Sequence, residues 1–146
     1  MEIYTAGFTK HTAREFFESL KRANIRQLVD VRLNNSSQLA GFAKRSDLEY
    51  FLEVICDARY LHEPRLAPTQ ELLGAYRAKE ISWGEYEERF RSLLQERHVE
   101  SEIERSLFSD RTVLLCSEHT ADHCHRRIVC EYLAAHWGNV TIFHLS

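Results

Sequence analysis

The residues with the greatest chemical capacity lie in one stretch, Cys116-Ser117-Glu118-His119-Thr120-Ala121-Asp122-His123-Cys124-His125-Arg126. A cysteine thiolate is a nucleophile and a metal ligand, and an imidazole moves protons or ligates metals. A carboxylate exchanges a proton or orients a substrate, and an arginine grips an oxyanion through two parallel hydrogen bonds. The preceding residues, Thr112-Val113-Leu114-Leu115-Cys116, have the β-branched and apolar character of a buried strand, and residues 128–137 carry apolar side chains at helical spacing. The cluster therefore belongs to a strand-to-helix turn. Cys124, His125 and Arg126 fall at the start of the helix, where unpaired N–H groups and the dipole favour a thiolate or a bound anion.

Cys116 and Cys124 are the candidate nucleophiles, with Arg126 and His125 as anion-binding partners. A second set of residues accompanies them. Asp30 lies in Leu28-Val29-Asp30-Val31-Arg32, and Gly7 follows the short strand Ile3-Tyr4-Thr5-Ala6, where it permits a tight turn or close approach of a ligand. His62 ends Arg59-Tyr60-Leu61-His62, and Lys44 follows a polar loop. Asp30 and Glu118 are a possible acid–base pair, or each pairs with Arg32 or Arg126 as a loop-fixing ion pair; both readings stand. His62 has the side chain for proton transfer, or is structural. Cys116, His119, His123, Cys124 and His125 are the right types for zinc, but their spacing lacks paired C-x-x-C or H-x3-H elements, and no metal is assigned. Neither G-x-x-x-x-G-K nor G-x-G-x-x-G occurs, and the span from Cys116 to Arg126 is longer than a compact cysteine–arginine phosphate loop and lacks its glycine.

These residues need a frame. Thr12-Ala13-Arg14-Glu15 reads as a capping box opening a helix with Phe16, Phe17 and Leu20 on one face. Residues 33–41 read as a loop. Ser46-Asp47-Leu48-Glu49 reads as a second capping box, with Leu48, Phe51, Leu52 and Ile55 as the core stripe of the next helix. Arg59–His62 is a weak strand, and Pro64 and Pro68 bracket an irregular connection. From residue 69 to about 107 the pattern is helical, with further capping boxes at Ser82 and Ser101; this segment reads as structure rather than chemistry. Gly138 is a C-cap, and Val140-Thr141-Ile142-Phe143 is the last strand. The order predicts an α/β fold: a three-layer sandwich with a mainly parallel sheet of about five strands and a helical insertion before the fourth. Gly7, Asp30, Arg32, His62, Cys116 and Glu118 then meet at one sheet edge.

A chain of 146 residues with 44% hydrophobic content suits a single domain, 1–146. A formal net charge of −3 disfavours a general polyanion binder. No apolar stretch reaches membrane-spanning length, and MEIYTAGF has no signal-peptide character, so a cytoplasmic protein is expected. Four cysteines, with Cys56 and Cys130 inside helical patterns, fit reduced thiols better than a disulfide framework, and leave the roles of Cys116 and Cys124 open.

Tyr4-Thr5-Ala6-Gly7, Leu28-Val29-Asp30-Val31-Arg32, Ser37 with Phe42-Ala43-Lys44, Tyr60-Leu61-His62, and Leu114-Leu115-Cys116-Ser117-Glu118 with Cys124-His125-Arg126 together resemble the domain of unknown function 488 family over nearly the whole chain. The resemblance implies an α/β domain whose signature residues gather at one site, and it brings no established reaction. Leu66-Ala67 stands where that family often has leucine followed by glycine. The expected function is an enzyme-like domain binding an anionic small molecule, phosphorylated or nucleotide-like. In that reading Arg32, Lys44 and Arg126 hold the anion, Glu118 or Asp30 positions it or exchanges a proton, and Cys124 or Cys116 attacks. The alternatives are a nucleic-acid accessory domain and a metal-binding interaction module; no cofactor is assigned.

Overall fold

The computed structural model describes residues 1–34, 41–116 and 123–145. Ser37, Glu118 and His119 lie outside the described residues. Five strands form one sheet, β1 (Glu2–Gly7), β2 (Gln27–Asp30), β3 (Arg59–His62), β4 (Thr112–Cys116) and β5 (Thr141–His144), in the spatial order β3-β2-β4-β1-β5. Every pairing is parallel. The connections carry helices α1 (Ala13–Arg22), α2 (Arg45–Phe51), α3 (Gln70–Arg77), α4 (Trp83–Glu96), α5 (Val99–Glu102) and α6 (His125–Trp137).

Alternation along the strands divides the core between two faces. Tyr4, Ala6, Leu28, Val113 and Leu115 pack against Phe16, Phe17 and Leu20 of α1 and Leu48 of α2. Their strand neighbours Ile3, Val29 and Leu114 pack against Leu72 of α3, Tyr86, Phe90 and Leu94 of α4, Val99 of α5, and Ile128, Val129 and Leu133 of α6. The result is the expected three-layer α/β sandwich, with α3, α4 and α5 as the insertion before β4. Thr112–Cys116 is buried along its whole length, because it has a paired strand on each side and helices on both faces.

The capping signals show which local rules survive packing. At Thr12 the full box forms: the Glu15 amide donates to Thr12 Oγ1 (3.1 Å), and the Thr12 amide donates to Glu15 Oε1 (2.9 Å). Ser82 caps α4 by accepting from the Glu85 amide at 3.2 Å. The boxes expected at Ser46 and Ser101 do not form. Helix α2 already begins at Arg45, behind an extended Lys44, which leaves Ser46 inside the helix. At the second position the backbone of Ile103 is extended (φ −89°, ψ 120°) and its side chain is buried, so burial draws the chain out of helix where the box would start one. The last strand is shifted by one residue from its expected span. Ala67, at the position where glycine was expected from the resemblance, has φ −98° and ψ 153°, an ordinary extended conformation that alanine adopts without strain.

Among the described residues no helix is long and apolar enough to cross a membrane. Because Leu114 is fully buried at the centre of the sheet, Leu114→Ala is expected to destabilise the fold by about 2–5 kcal/mol in urea denaturation. A loss below about 1 kcal/mol would contradict the central packing assigned to β4.

Candidate functional site

Strand β4 lies between β1 and β2, and the helices that follow its neighbours go to the opposite face of the sheet from the helix that follows β4. In a parallel sheet this divergence opens a crevice at the carboxyl ends of the strands. Register brings the expected residues there: Gly7 pairs with Cys116, and Asp30 pairs with Leu115 on one side and His62 on the other. Beyond β2 the Val31 amide still donates to the Leu115 carbonyl at 3.1 Å, which carries the sheet geometry into the turn.

Asp30 and Arg32 form a buried ion pair, 0% and 4% exposed. Arg32 Nε donates to Asp30 Oδ1 and Nη2 to Oδ2, both at 2.8 Å, and the Arg32 amide donates to Oδ1 at 3.1 Å. The last bond is the turn an aspartate makes with the backbone two residues on. Tyr60 Oη donates to Asp30 Oδ2 at 2.7 Å, Arg32 Nη2 also donates to the Ala43 carbonyl at 2.8 Å, and the Arg32 guanidinium lies 5.2 Å from the Phe8 ring centroid. His62 Nε2 donates to the Arg32 carbonyl at 3.0 Å. Of the two readings of Asp30 given by its sequence, the loop-fixing ion pair matches these bonds. His62 fastens the same turn.

Cys116 and Cys124 are brought together as a disulfide, a proximity their sequence spacing did not establish. Cys124 is the N-cap of α6, without a side-chain capping bond, and His125 is the first helical residue. The His125 ring is buried; Nε2 donates to the Val31 carbonyl at 2.6 Å, and Nδ1 lies 3.5 Å from Cys116 Sγ. Burial, more than any other influence, pushes its pKa down to about 4, so the ring is neutral at neutral pH. Arg126 is 1% exposed, buried in the first turn of α6 rather than open to solvent. Cys56 and Cys130 are free thiols, and burial pushes both of their pKa values up, so neither is activated for attack.

The crevice above these residues has a volume of about 100 Å³ and is lined by Arg32, Cys116, Cys124 and His125 together with Tyr76, Arg77, Trp83, Tyr86 and His123. Its aromatic wall is continuous: the ring centroids of Trp83 and Tyr86 are 5.1 Å apart and stacked, Tyr76 lies 5.0 Å from Tyr86, and the His123 ring lies 5.0 Å from Trp83. Lys44, the N-cap of α2, and the buried Arg126 are not among the described residues that line this space. Tyr76, Arg77, Trp83 and Tyr86 come from the segment that read as structure alone. The available signal was the pairing of Tyr76-Arg77 at the end of one helix with Trp83 at the start of the next.

Removing the Asp30 carboxylate would strand a guanidinium that is almost wholly buried. Asp30→Ala is therefore expected to cost about 3–5 kcal/mol in urea denaturation. A cost under about 1 kcal/mol would mean that the turn after β2 does not depend on the pair.

Comparison with curated proteins gives no significant match, and neither does comparison with solved structures. The family model described as Domain of unknown function DUF488 matches residues 12–133, a span that holds Asp30, Arg32, His62, both disulfide cysteines, His125 and the whole aromatic wall. The chain belongs to the DUF488 family.

Proposed function

We propose that this chain is an enzyme-like domain that takes an anionic small molecule, phosphorylated or nucleotide-like, at the C-terminal edge of its sheet. The observation that carries the reading is the crevice itself, where Arg32, Arg77 and His123 share a space of about 100 Å³ with stacked rings and the Cys116–Cys124–His125 cluster. A water needs about 10–15 Å³ of such space, so the crevice has room for several waters and for a phosphate- or carboxylate-sized head group in their place. A planar remainder would lie on Trp83 and Tyr76 at the rim. Arg32 is already matched by Asp30, so Arg77, which makes no ion pair among the described residues, supplies the greater share of the charge and the bidentate grip.

In the reduced state Cys124 has the helix start beside it, a surrounding that favours a thiolate over a thiol. Glu118 keeps its assigned role as the carboxylate that positions the substrate or exchanges a proton. The free thiols of Cys56 and Cys130 suit the reducing cytoplasm.

Isothermal titration with inorganic phosphate, a nucleoside monophosphate and a nucleoside diphosphate tests the reading. At least one is expected to bind the parent, and Arg77→Ala to bind it about tenfold more weakly, a loss of about 1.4 kcal/mol, with an unchanged circular dichroism spectrum. Equal binding by parent, Arg77→Ala and Trp83→Leu would remove the crevice from consideration, as would no binding of any of the three to the parent.

A further inference from the structure

We infer that the reduced pair Cys116 and Cys124, together with His125 Nδ1, forms a zinc site whose fourth position, among the described residues, opens into the crevice. The donor atoms of these three residues lie within 4.8 Å of one another, and all three residues are buried. Two thiolates and an imidazole are a ligand set that zinc takes with one position left for water or substrate.

Three observations point the donors at a common centre. First, His125 is held in the tautomer that ligation needs. Nε2 must carry the proton because it donates to the Val31 carbonyl at 2.6 Å, so Nδ1 presents its lone pair towards the sulfurs. A backbone carbonyl fixing the far ring nitrogen is the usual support of a metal-bound histidine. Second, His125 Nδ1 and Cys116 Sγ are 3.5 Å apart. Tetrahedral zinc, with arms of about 2.05 Å to nitrogen and about 2.3 Å to sulfur, sets these two atoms about 3.6 Å apart. Third, Cys116 and Cys124 meet as a disulfide, so both sulfurs already face one point beside His125 Nδ1.

The balance of charge and protons is simple. A thiol or phosphine reductant supplies the two electrons that open the disulfide, and the sulfurs take up two protons. Zinc then displaces those protons, and two thiolates with one dication leave the buried site without net charge. The site goes beyond the anion-binding reading and does not depend on it, because metal uptake is measured with no anion present.

The protein is reduced with a phosphine, stripped with a chelator, and titrated with cobalt and then zinc. One metal per chain is expected, with a thiolate-to-cobalt charge-transfer band that zinc abolishes. Cys116→Ser, Cys124→Ser and His125→Ala should each weaken uptake more than tenfold, whereas Cys56→Ser should not change it. Mass-spectrometric mapping of alkylated cysteines in the parent gives a readout that needs no variant: bound zinc should protect Cys116 and Cys124. A reduced parent that shows no charge-transfer band overturns the inference. So does bound metal that leaves both cysteines as reactive as before, or a Cys56→Ser variant that loses the metal.

Discussion

The turn after β2 is fixed by one interaction, the buried bidentate pair between Asp30 and Arg32, and the site depends on that turn. A guanidinium with 5% of its side chain exposed and a carboxylate with none must satisfy each other, because neither has water to fall back on. Their geometry does more than cancel charge. Tyr60 and His62 of β3, Ala43 ahead of α2, and Phe8 beyond β1 all contact the pair or its backbone. Between the two charged residues lies Val31, whose carbonyl accepts from His125. The orientation of the His125 ring beside Cys116 is therefore set from the opposite side of β4, through a backbone atom held by the ion pair on either side of it.

Topology explains why so much converges on the end of β4. The strand is paired on both sides, with β1 and β2, and buried on both faces, so its position is the least adjustable in the sheet. Its carboxyl end is also where the chain passes to α6 on one face while β1 and β2 lead to α1 and α2 on the other. A rigid strand thus delivers Cys116 into a place where the surrounding layers diverge. The first turn of α6 closes the other side and brings Cys124 and His125 to the same point.

The frame was legible in the sequence because it rests on periodicity. The unbroken apolar run at Thr112–Cys116 required burial on both faces, and the spacing of Phe16, Phe17 and Leu20 required a one-sided helix; both hold. Local signals failed where a tertiary demand opposed them, as at Ser101, where the capping pattern yields to the burial of Ile103. Gly7, Asp30, His62 and Cys116 were legible as a group, since each ends a parallel strand and parallel strands end together. Arg77 and Trp83 were not. Their approach depends on how α3 and α4 pack over the far face, a long-range arrangement that leaves no period in the chain. For Asp30 the sequence held both an acid–base role and an ion-pair role open, and the ion pair became visible only in the bonds from Arg32 and Tyr60.

Charge around the site is arranged by depth. Arg32 is neutralised inside the fold by Asp30, and Arg126 is sealed beneath the first turn of α6, so neither extends freely towards a ligand. Arg77 and His123 stand at the exposed rim, beside rings that keep water from one wall of the crevice. The crevice thus has the Arg77 guanidinium at its mouth, aromatic faces along the side, and sulfur with neutral imidazole at the floor. Each layer needs the one beneath it. The charge of Arg77 at the rim is not opposed by a bare guanidinium at Arg32, which Asp30 already matches, and the floor can hold soft donors only because His125 is kept neutral by burial and correctly protonated by the Val31 carbonyl.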